Sequence, residues 1–240
     1  ESHYQFDVID EGMDFSRYRV VILPDVITLD EELKDKLESY VKNGGKLLLS
    51  YRSGMAKWQQ QFVLPGMGID LVRDAEYSPD YVVAGEAISQ GLFDTEYVMY
   101  DRGLWVKPRK GTEVLASIWN PYFNRSYKHF CSHRQTPPEK ESIYPAVTRN
   151  GSIIYFAHPI FSMYHRHGAR VYKQLVVNAL SLLLPDKLVE TNAPTTAHMV
   201  LNYQEPYSRH VLHILHYIPQ RRCEEIDIVE DVIPLYDVDV

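Results

Sequence analysis

The stretch VVILPDVITLDEELKDKLESYVKNGGKLLLSYRSG, Val20 to Gly54, decides how the chain is read. Val20-Val21-Ile22-Leu23 is a short, wholly apolar run stopped by Pro24-Asp25, the signature of an inner parallel strand buried on both faces. Thr28 followed by Glu31 reads as a capping box, which places a helix start at Leu29. Leu29, Leu33, Leu37, Tyr40 and Val41 then recur on one helical face, and Gly44-Gly45 supplies the left-handed stop. Lys46 to Ser50 is a second strand, so the unit is strand, helix, strand, expected to cross over right-handed. This is one module of an open α/β sheet.

Ligands of such sheets bind at the carboxyl ends of the strands, so the turn Tyr51-Arg52-Ser53-Gly54 has the address of an active site. A nucleophile elbow needs small flanking residues because its turn is strained and crowded. Here Tyr51 and Arg52 precede Ser53 and fill that space. Ser53 is read as a turn or cap serine rather than a nucleophile.

A chain of 240 residues can bury a sizeable core. Its net charge of −7 and isoelectric point near 5.8 argue against nucleic acid or an anionic membrane as partner, and Lys107, Arg109 and Lys110 make only a small basic cluster. The apolar stretch Leu175 to Leu184 is interrupted by Asn178 and Ser181 and falls short of the roughly 20 residues of a membrane span. No signal peptide is visible, but both termini look cut, so compartment is not legible. Cys131 and Cys223 lie far apart with no paired spacing, which excludes a cysteine zinc site and reads as free thiols.

Along the chain, Tyr4, Phe6 and Val8 alternate as a strand or its approach, and a short helix is predicted near Trp58 to Phe62. Tyr97 to Tyr100 and Leu104 to Val106 are strands flanking the break Asp101-Arg102-Gly103, and Val114 to Trp119 is a further strand. Asn150-Gly151 signals a hairpin joining Pro145 to Val147 with Ile153 to Ala157. Val171, Leu175, Ala179 and Leu182 mark a helix ended by Pro185, and Pro185 to Thr196 reads as a linker. Strand-like segments follow at His198 to Leu201, His210 to Tyr217 and Ile226 to Val229.

Three constellations invite chemistry. His158, His165 and His167 gather in HPIFSMYHRHG, but the latter two diverge on a helix and no carboxylate or cysteine joins them at metal spacing. His210, His213 and His216 sit on a strand that sends His213 to the opposite face, so no metal is assigned there either. Cys131 and His133 share a loop with Gln135 and the diproline Pro137-Pro138, yet neighbours in sequence rarely have nucleophile-base geometry. No spacing identifies a carboxylate pair about 5 to 9 Å apart, so glycosidase chemistry is not assigned to this chain. No cofactor motif is found.

The run from FDVID through YRVVILPDVITLDEELKDKLESYVKNGGKLLLSYRSG, with SHRQTPP, AHPIFSMYHRHG and LVVNALSLLLPDKLV, resembles the β-galactosidase trimerisation domain of family 42 glycoside hydrolases. RHVLHILHYIPQRR and VEDVIPL resemble the β module that follows it. The resemblance implies a flavodoxin-like α/β domain of the class I glutamine amidotransferase-like superfamily over residues 1–189, lacking its first strand and helix. Residues 190–240 would be part of a small antiparallel β domain. It further implies a trimer, a catalytic (β/α)8 barrel upstream, no catalytic residue and no metal here, and carbohydrate near the interface. Tyr51, Arg52, His133, Gln135 and His158 are then the residues expected to border a substrate cleft. Two rival expectations are an amidotransferase-like hydrolase using Ser53 or Cys131, and a carbohydrate-binding module using Trp58, Trp105, Tyr122 or Tyr164.

Overall fold

The computed structural model describes residues 2–222 and 224–240, so the expectation of a free thiol at Cys223 lies outside the described residues. The chain forms two compact units, a larger one over Glu11–Leu184 and a smaller one made of residues 2–10 with Pro185–Val240.

In the larger unit the elements run β1 (Val20–Leu23), α1 (Glu31–Lys42), β2 (Lys46–Ser50), β3 (Ile69–Asp74), β4 (Asp80–Ala84), β5 (Tyr97–Met99), β6 (Leu104–Pro108), β7 (Glu113–Pro121), β8 (Pro138–Asn150), β9 (Ile153–Phe156), α2 (Ile160–His167) and α3 (Arg170–Leu183). Seven strands form one mixed sheet in the order β1-β2-β9-β8-β7-β4-β5. The first three are mutually parallel, and every pairing from β9 onward is antiparallel. β3 and β6 pair separately as an antiparallel ribbon. Leu47, Leu48 and Leu49 of β2 and Ile154 of β9 are fully buried, as central parallel strands require.

The structure corrects several sequence expectations. β1 is parallel to β2 but stands at the edge of the described sheet rather than inside it, and Ile22 on its outer face is 38% exposed. Helix α1 starts at Glu31, because Leu29 is held extended: its N–H donates to the Met55 carbonyl at 2.7 Å and its carbonyl accepts from the Lys57 N–H at 2.8 Å. Asp30, not Thr28, caps the helix, accepting the Leu33 N–H at 3.0 Å. The helix stops where predicted, with Gly44 at φ +93° and the Gly45 N–H returning to the Tyr40 carbonyl.

Trp58 to Phe62 is a looped turn, closed by the Ala56 N–H on the Gln61 carbonyl, and is too short to sustain helical hydrogen bonds of its own. The Asn150-Gly151 hairpin forms, with Gly151 at φ +58° and Asn150 opposite Ile153. Its first strand runs from Pro138, well before the expected Pro145, and absorbs the length through register shifts against β7.

In the smaller unit β10 (Ala197–Gln204) and β11 (Arg209–His216) form an antiparallel hairpin, and β12 (Gln220–Arg221) and β13 (Asp227–Ile228) a shorter one. Ala193, Ala197 and Met199 make its small core with Val189, Leu212, Leu235 and Val238. Tyr4 to Val8 is not a strand. It is fastened by side chains, the Leu201 N–H donating to Gln5 Oε1, while Phe6 and Val8 remain exposed.

Candidate functional site

The carboxyl ends of β1, β2 and β9 lie side by side, and the polar chemistry of the larger unit concentrates there. Asp25 follows β1 in a left-handed conformation, φ +52°, and is 3% exposed. Its carboxylate accepts the Ser50 hydroxyl at 2.6 Å, the Ser162 N–H at 2.7 Å, the Ser162 hydroxyl at 2.6 Å and, more weakly, the Phe161 N–H at 3.4 Å. Ser50 ends β2, and Phe161 and Ser162 belong to the first turn of α2. That helix has no cap of its own, since Pro159 stands at its N-cap position. Asp25 therefore serves as a cap delivered from another strand, placing negative charge at the helix start.

The turn after β2 is sewn onto the same segment. The Tyr51 N–H donates to the Phe156 carbonyl, the Arg52 N–H to the Asp25 carbonyl and the Gly54 N–H to the Ile27 carbonyl, all within 3.0 Å. Tyr51 sits at φ +51°, a conformation a bulky residue seldom adopts. The strained apex of this elbow thus carries a tyrosine. Its carbonyl accepts the hydroxyl of Tyr155 at 2.7 Å, and burial holds that phenol well above its usual range. Ser53 is fully buried, and its Oγ accepts the Ile27 N–H at 3.0 Å. Arg52 lies against the Tyr51 ring, 5.3 Å from its centre, and pairs with Asp74 at 2.8 Å.

His158, just beyond β9, is 1% exposed, with Nε2 2.7 Å from Asp80 Oδ1 at the start of β4. Burial pushes the Asp80 carboxyl up, against the opposing pull of His158 and Arg102. Gly103 packs on the imidazole so closely that a β-carbon there would lie 2.7 Å from Cδ2.

Of the residues expected to border a cleft, Tyr51 and Arg52 are brought together at the strand ends. His158 is sealed beneath the surface. His133 and Gln135 lie on the loop between β7 and β8, with His133 exposed and Gln135 half-buried. Cys131 on that loop is half-buried, and its thiol faces the carbonyls of His133 and Gln135 at 3.5 Å. Trp105 is buried and stacked on Tyr144, whereas Trp58 is 88% exposed. Among the described residues no group of three or more His, Cys, Asp or Glu could hold a metal ion, and no helix is long and apolar enough to cross a membrane.

Beside the Asp25 cap lies a depression of about 680 Å³ lined by Pro24, Val26, Ile27, Phe161, His165 and Arg166 together with Asp25 and Ser162. Sequence reading passed over Asp25, Ser162 and Asp80. The available signal for Asp25 was its place, directly after Pro24 at a strand's carboxyl end, where a short acidic side chain can tolerate left-handed backbone and reach a neighbouring helix.

The family model for the β-galactosidase trimerisation domain matches residues 1–182, about three quarters of the chain. The chain belongs to this family. Among similar proteins, β-galactosidase Pbg of Clostridium perfringens is 34% identical over 130 residues, which are 49% of this chain and 18% of that protein. β-Galactosidase GalA of Bacillus licheniformis is 37% identical over 65 residues, 27% of this chain and 10% of that protein. The trimerisation-domain chain thus matches less than a fifth of the length of either relative. Among solved structures, α-L-fucosidase isoenzyme 2 from Paenibacillus thiaminolyticus superposes with a TM-score of 0.90 at 33% identity, covering 99% of this chain and 36% of that one. Gan42B, a GH42 β-galactosidase, superposes at 0.55 with 18% identity, over 84% of this chain and 27% of that one, a likeness of fold.

Proposed function

We propose that this chain is a non-catalytic assembly module of a glycoside hydrolase, joining copies of the enzyme while a catalytic (β/α)8 barrel upstream in the polypeptide breaks the glycosidic bond. The observation that carries this reading is the elbow after β2. It keeps the strained backbone of a nucleophile turn, but its apex is Tyr51, and the adjacent hydroxyl of Ser53 is buried against the Ile27 N–H. The parallel trio β1, β2 and β9 is read as the remnant of a flavodoxin-like, amidotransferase-like sheet whose chemistry has been replaced by internal fastening. Tyr51, Arg52, His133 and Gln135 remain the surface candidates for bordering a neighbour's cleft, and His158 is read instead as a buried structural partner of Asp80.

Two sugars compete for the enzyme as a whole. The family description and the sequence relatives favour a β-galactoside. The superposition at 0.90, which extends over 99% of the chain and so includes the C-terminal unit, favours an α-L-fucoside.

The test is light scattering on the 240-residue chain over a concentration series, paired with turnover of 4-nitrophenyl α-L-fucoside and β-D-galactoside by the longer protein. A mass near three times 27.9 kDa, with turnover insensitive to Ser53→Ala and Cys131→Ala, is expected. Loss of turnover on replacing Cys131 or Ser53 in a protein that remains folded would refute the non-catalytic reading.

A further inference from the structure

The segment that follows the elbow, residues 54–64, folds back as a short finger with Trp58 at its tip. Its two sides are fastened to each other: Met55 and Phe62 bridge antiparallel, the Val63 N–H donates to the Gly54 carbonyl at 3.0 Å, and the Ala56 N–H donates to the Gln61 carbonyl at 3.0 Å. Leu29 holds one side from outside, its N–H on the Met55 carbonyl and its own carbonyl taking the Lys57 N–H. Phe62 anchors the other side, its ring edge-on to buried Tyr155 with centres 5.2 Å apart.

Above this base Lys57, Trp58, Gln59, Gln60 and Gln61 are all exposed. Trp58 is 88% exposed, although tryptophan is highly buried on average. Of the other rings that a carbohydrate-binding reading names, Trp105 is buried, Tyr164 is half-buried and Tyr122 is 59% exposed. Lys57 Nζ stands over one face of the Trp58 indole, 6.0 Å from its centre, which leaves the opposite face for a ligand. Gln61 Nε2 donates to Gln59 Oε1 at 2.9 Å. That bond orients two amides near the ring and leaves the Gln59 amino group and the Gln61 oxygen for a ligand. The finger contains no Asp or Glu and one cation, Lys57. A flat apolar ring flanked by uncharged planar amides suits a neutral ligand that has one apolar face and a hydroxylated edge.

We propose that this tip is a stacking platform for a galacto-configured pyranose, the indole taking the apolar face of the sugar and the glutamine amides its hydroxyls. In D-galactose and in L-fucose the 4-hydroxyl is axial, which leaves C3–H, C4–H and C5–H as one continuous apolar face. Those C–H groups carry slight positive charge and the indole face is negative, so the two attract beyond the area they bury. In D-glucose the equatorial 4-hydroxyl interrupts that face at its edge. The fastened base matters because a pre-ordered tip loses little entropy on binding. The choice of galacto-configured sugars rests on the glycoside hydrolase reading above, whereas the platform rests on the exposed ring and amides. The module then has a glycan ligand of its own, apart from any bond broken elsewhere in the polypeptide.

The test is saturation-transfer NMR, read on the ligand, with the 240-residue chain and methyl β-D-galactoside, methyl α-L-fucoside or methyl β-D-glucoside. The variants are Trp58→Ala, Trp58→Phe, and Gln59→Ala with Gln61→Ala, each verified as folded by circular dichroism. All three positions are exposed, so the variants are expected to fold. Saturable transfer with a midpoint in the millimolar range is expected, strongest at H3, H4 and H5 of the sugar. Trp58→Ala should abolish it, Trp58→Phe should retain part of it, and the paired glutamine change should weaken it about fivefold. Transfer to the galactoside alone or to the fucoside alone supports the platform and identifies its sugar. Equal transfer to the glucoside overturns the galacto-configured assignment. Transfer that persists unchanged in Trp58→Ala, or no transfer to any of the three, overturns the platform. Glycoside turnover by the longer protein reports separately on the hydrolase reading. A Trp58→Ala variant that binds no less sugar but loses mass in light scattering makes Trp58 a protein contact and likewise overturns the proposal.

Discussion

Replacing Asp25 tests whether the carboxyl edge of the sheet is a structural knot. Its carboxylate gathers three close hydrogen bonds and one weak one from β2 and from the first turn of α2, at 3% exposure. In Asp25→Ala the Ser162 N–H loses its partner at a helix start with no other cap, and the Ser50 hydroxyl loses its acceptor. A buried donor left unpaired costs about 1–3 kcal/mol, and the charge at the helix start adds about 0.3–1 kcal/mol. Alanine also tolerates φ +52° poorly, at roughly 1–2 kcal/mol. The expected loss is about 3–5 kcal/mol. Asp25→Asn keeps one acceptor oxygen and the tolerance for left-handed backbone, so about 1–2 kcal/mol is expected. Urea unfolding followed by tryptophan fluorescence is the suitable assay, because Trp58, Trp105 and Trp119 all lie in the larger unit. With a slope near 2 kcal/mol per molar urea, alanine should lower the midpoint by about 1.5–2.5 M and asparagine by about 0.5–1 M. An alanine variant within about 0.5 M of the parent, at unchanged slope, would refute the remote-cap reasoning.

Two other changes probe the buried pair behind the knot. The folded-state pKa of Asp80 is raised above its ordinary 3.8 by burial, so between those values the folded chain holds more protons than the unfolded one. The contribution of Asp80 is then fully present below pH 3.8 and is lost as pH rises through the folded value. Asp80→Asn, which keeps a polar partner for His158, should remove that component, and unfolding midpoints measured from pH 4 to 7 should fall less steeply with rising pH than in the parent. A parallel pair of curves would rule the effect out. Gly103→Ala places a β-carbon 2.7 Å from the His158 ring, which is buried and held by Asp80, so neither side can yield cheaply. A loss of about 1–3 kcal/mol is expected in the same urea assay, and no loss would mean that the ring moves freely.

The βαβ module was legible because its signals are local and mutually consistent: a four-residue apolar run, an amphipathic helix, a Gly-Gly stop and a second apolar run. What misled was information held elsewhere in the chain. Leu29 has the right spacing for a helix face, but its backbone bonds go to Met55 and Lys57, which no local pattern reveals. β1 has the composition of an inner strand, yet its place at the sheet edge depends on strand order. The long β8 is broken by Pro145 and charged at Glu139, Lys140 and Glu141, so only its apolar end resembled a strand. At the candidate site, Tyr51 and Arg52 could be named from position. Asp25 offered only its place after Pro24, and Ser162 and Asp80 offered nothing, because each of the three matters through a partner 25 to 137 residues away.

The elbow and the knot explain one another. A nucleophile turn needs a strained backbone, a free side chain at its apex and open N–H groups to receive an oxyanion. Here the strain persists at Tyr51, but the surrounding donors are consumed. The Tyr51, Arg52 and Gly54 N–H groups go to carbonyls, the Ile27 N–H goes to Ser53, and the α2 N-terminus goes to Asp25. These backbone donors instead tie β1, β2, β9 and α2 together. Strain at φ +51° survives only where neighbours over-determine it, and these bonds do so. An edge fastened in this way holds β1, β2, β9 and α2 in fixed register.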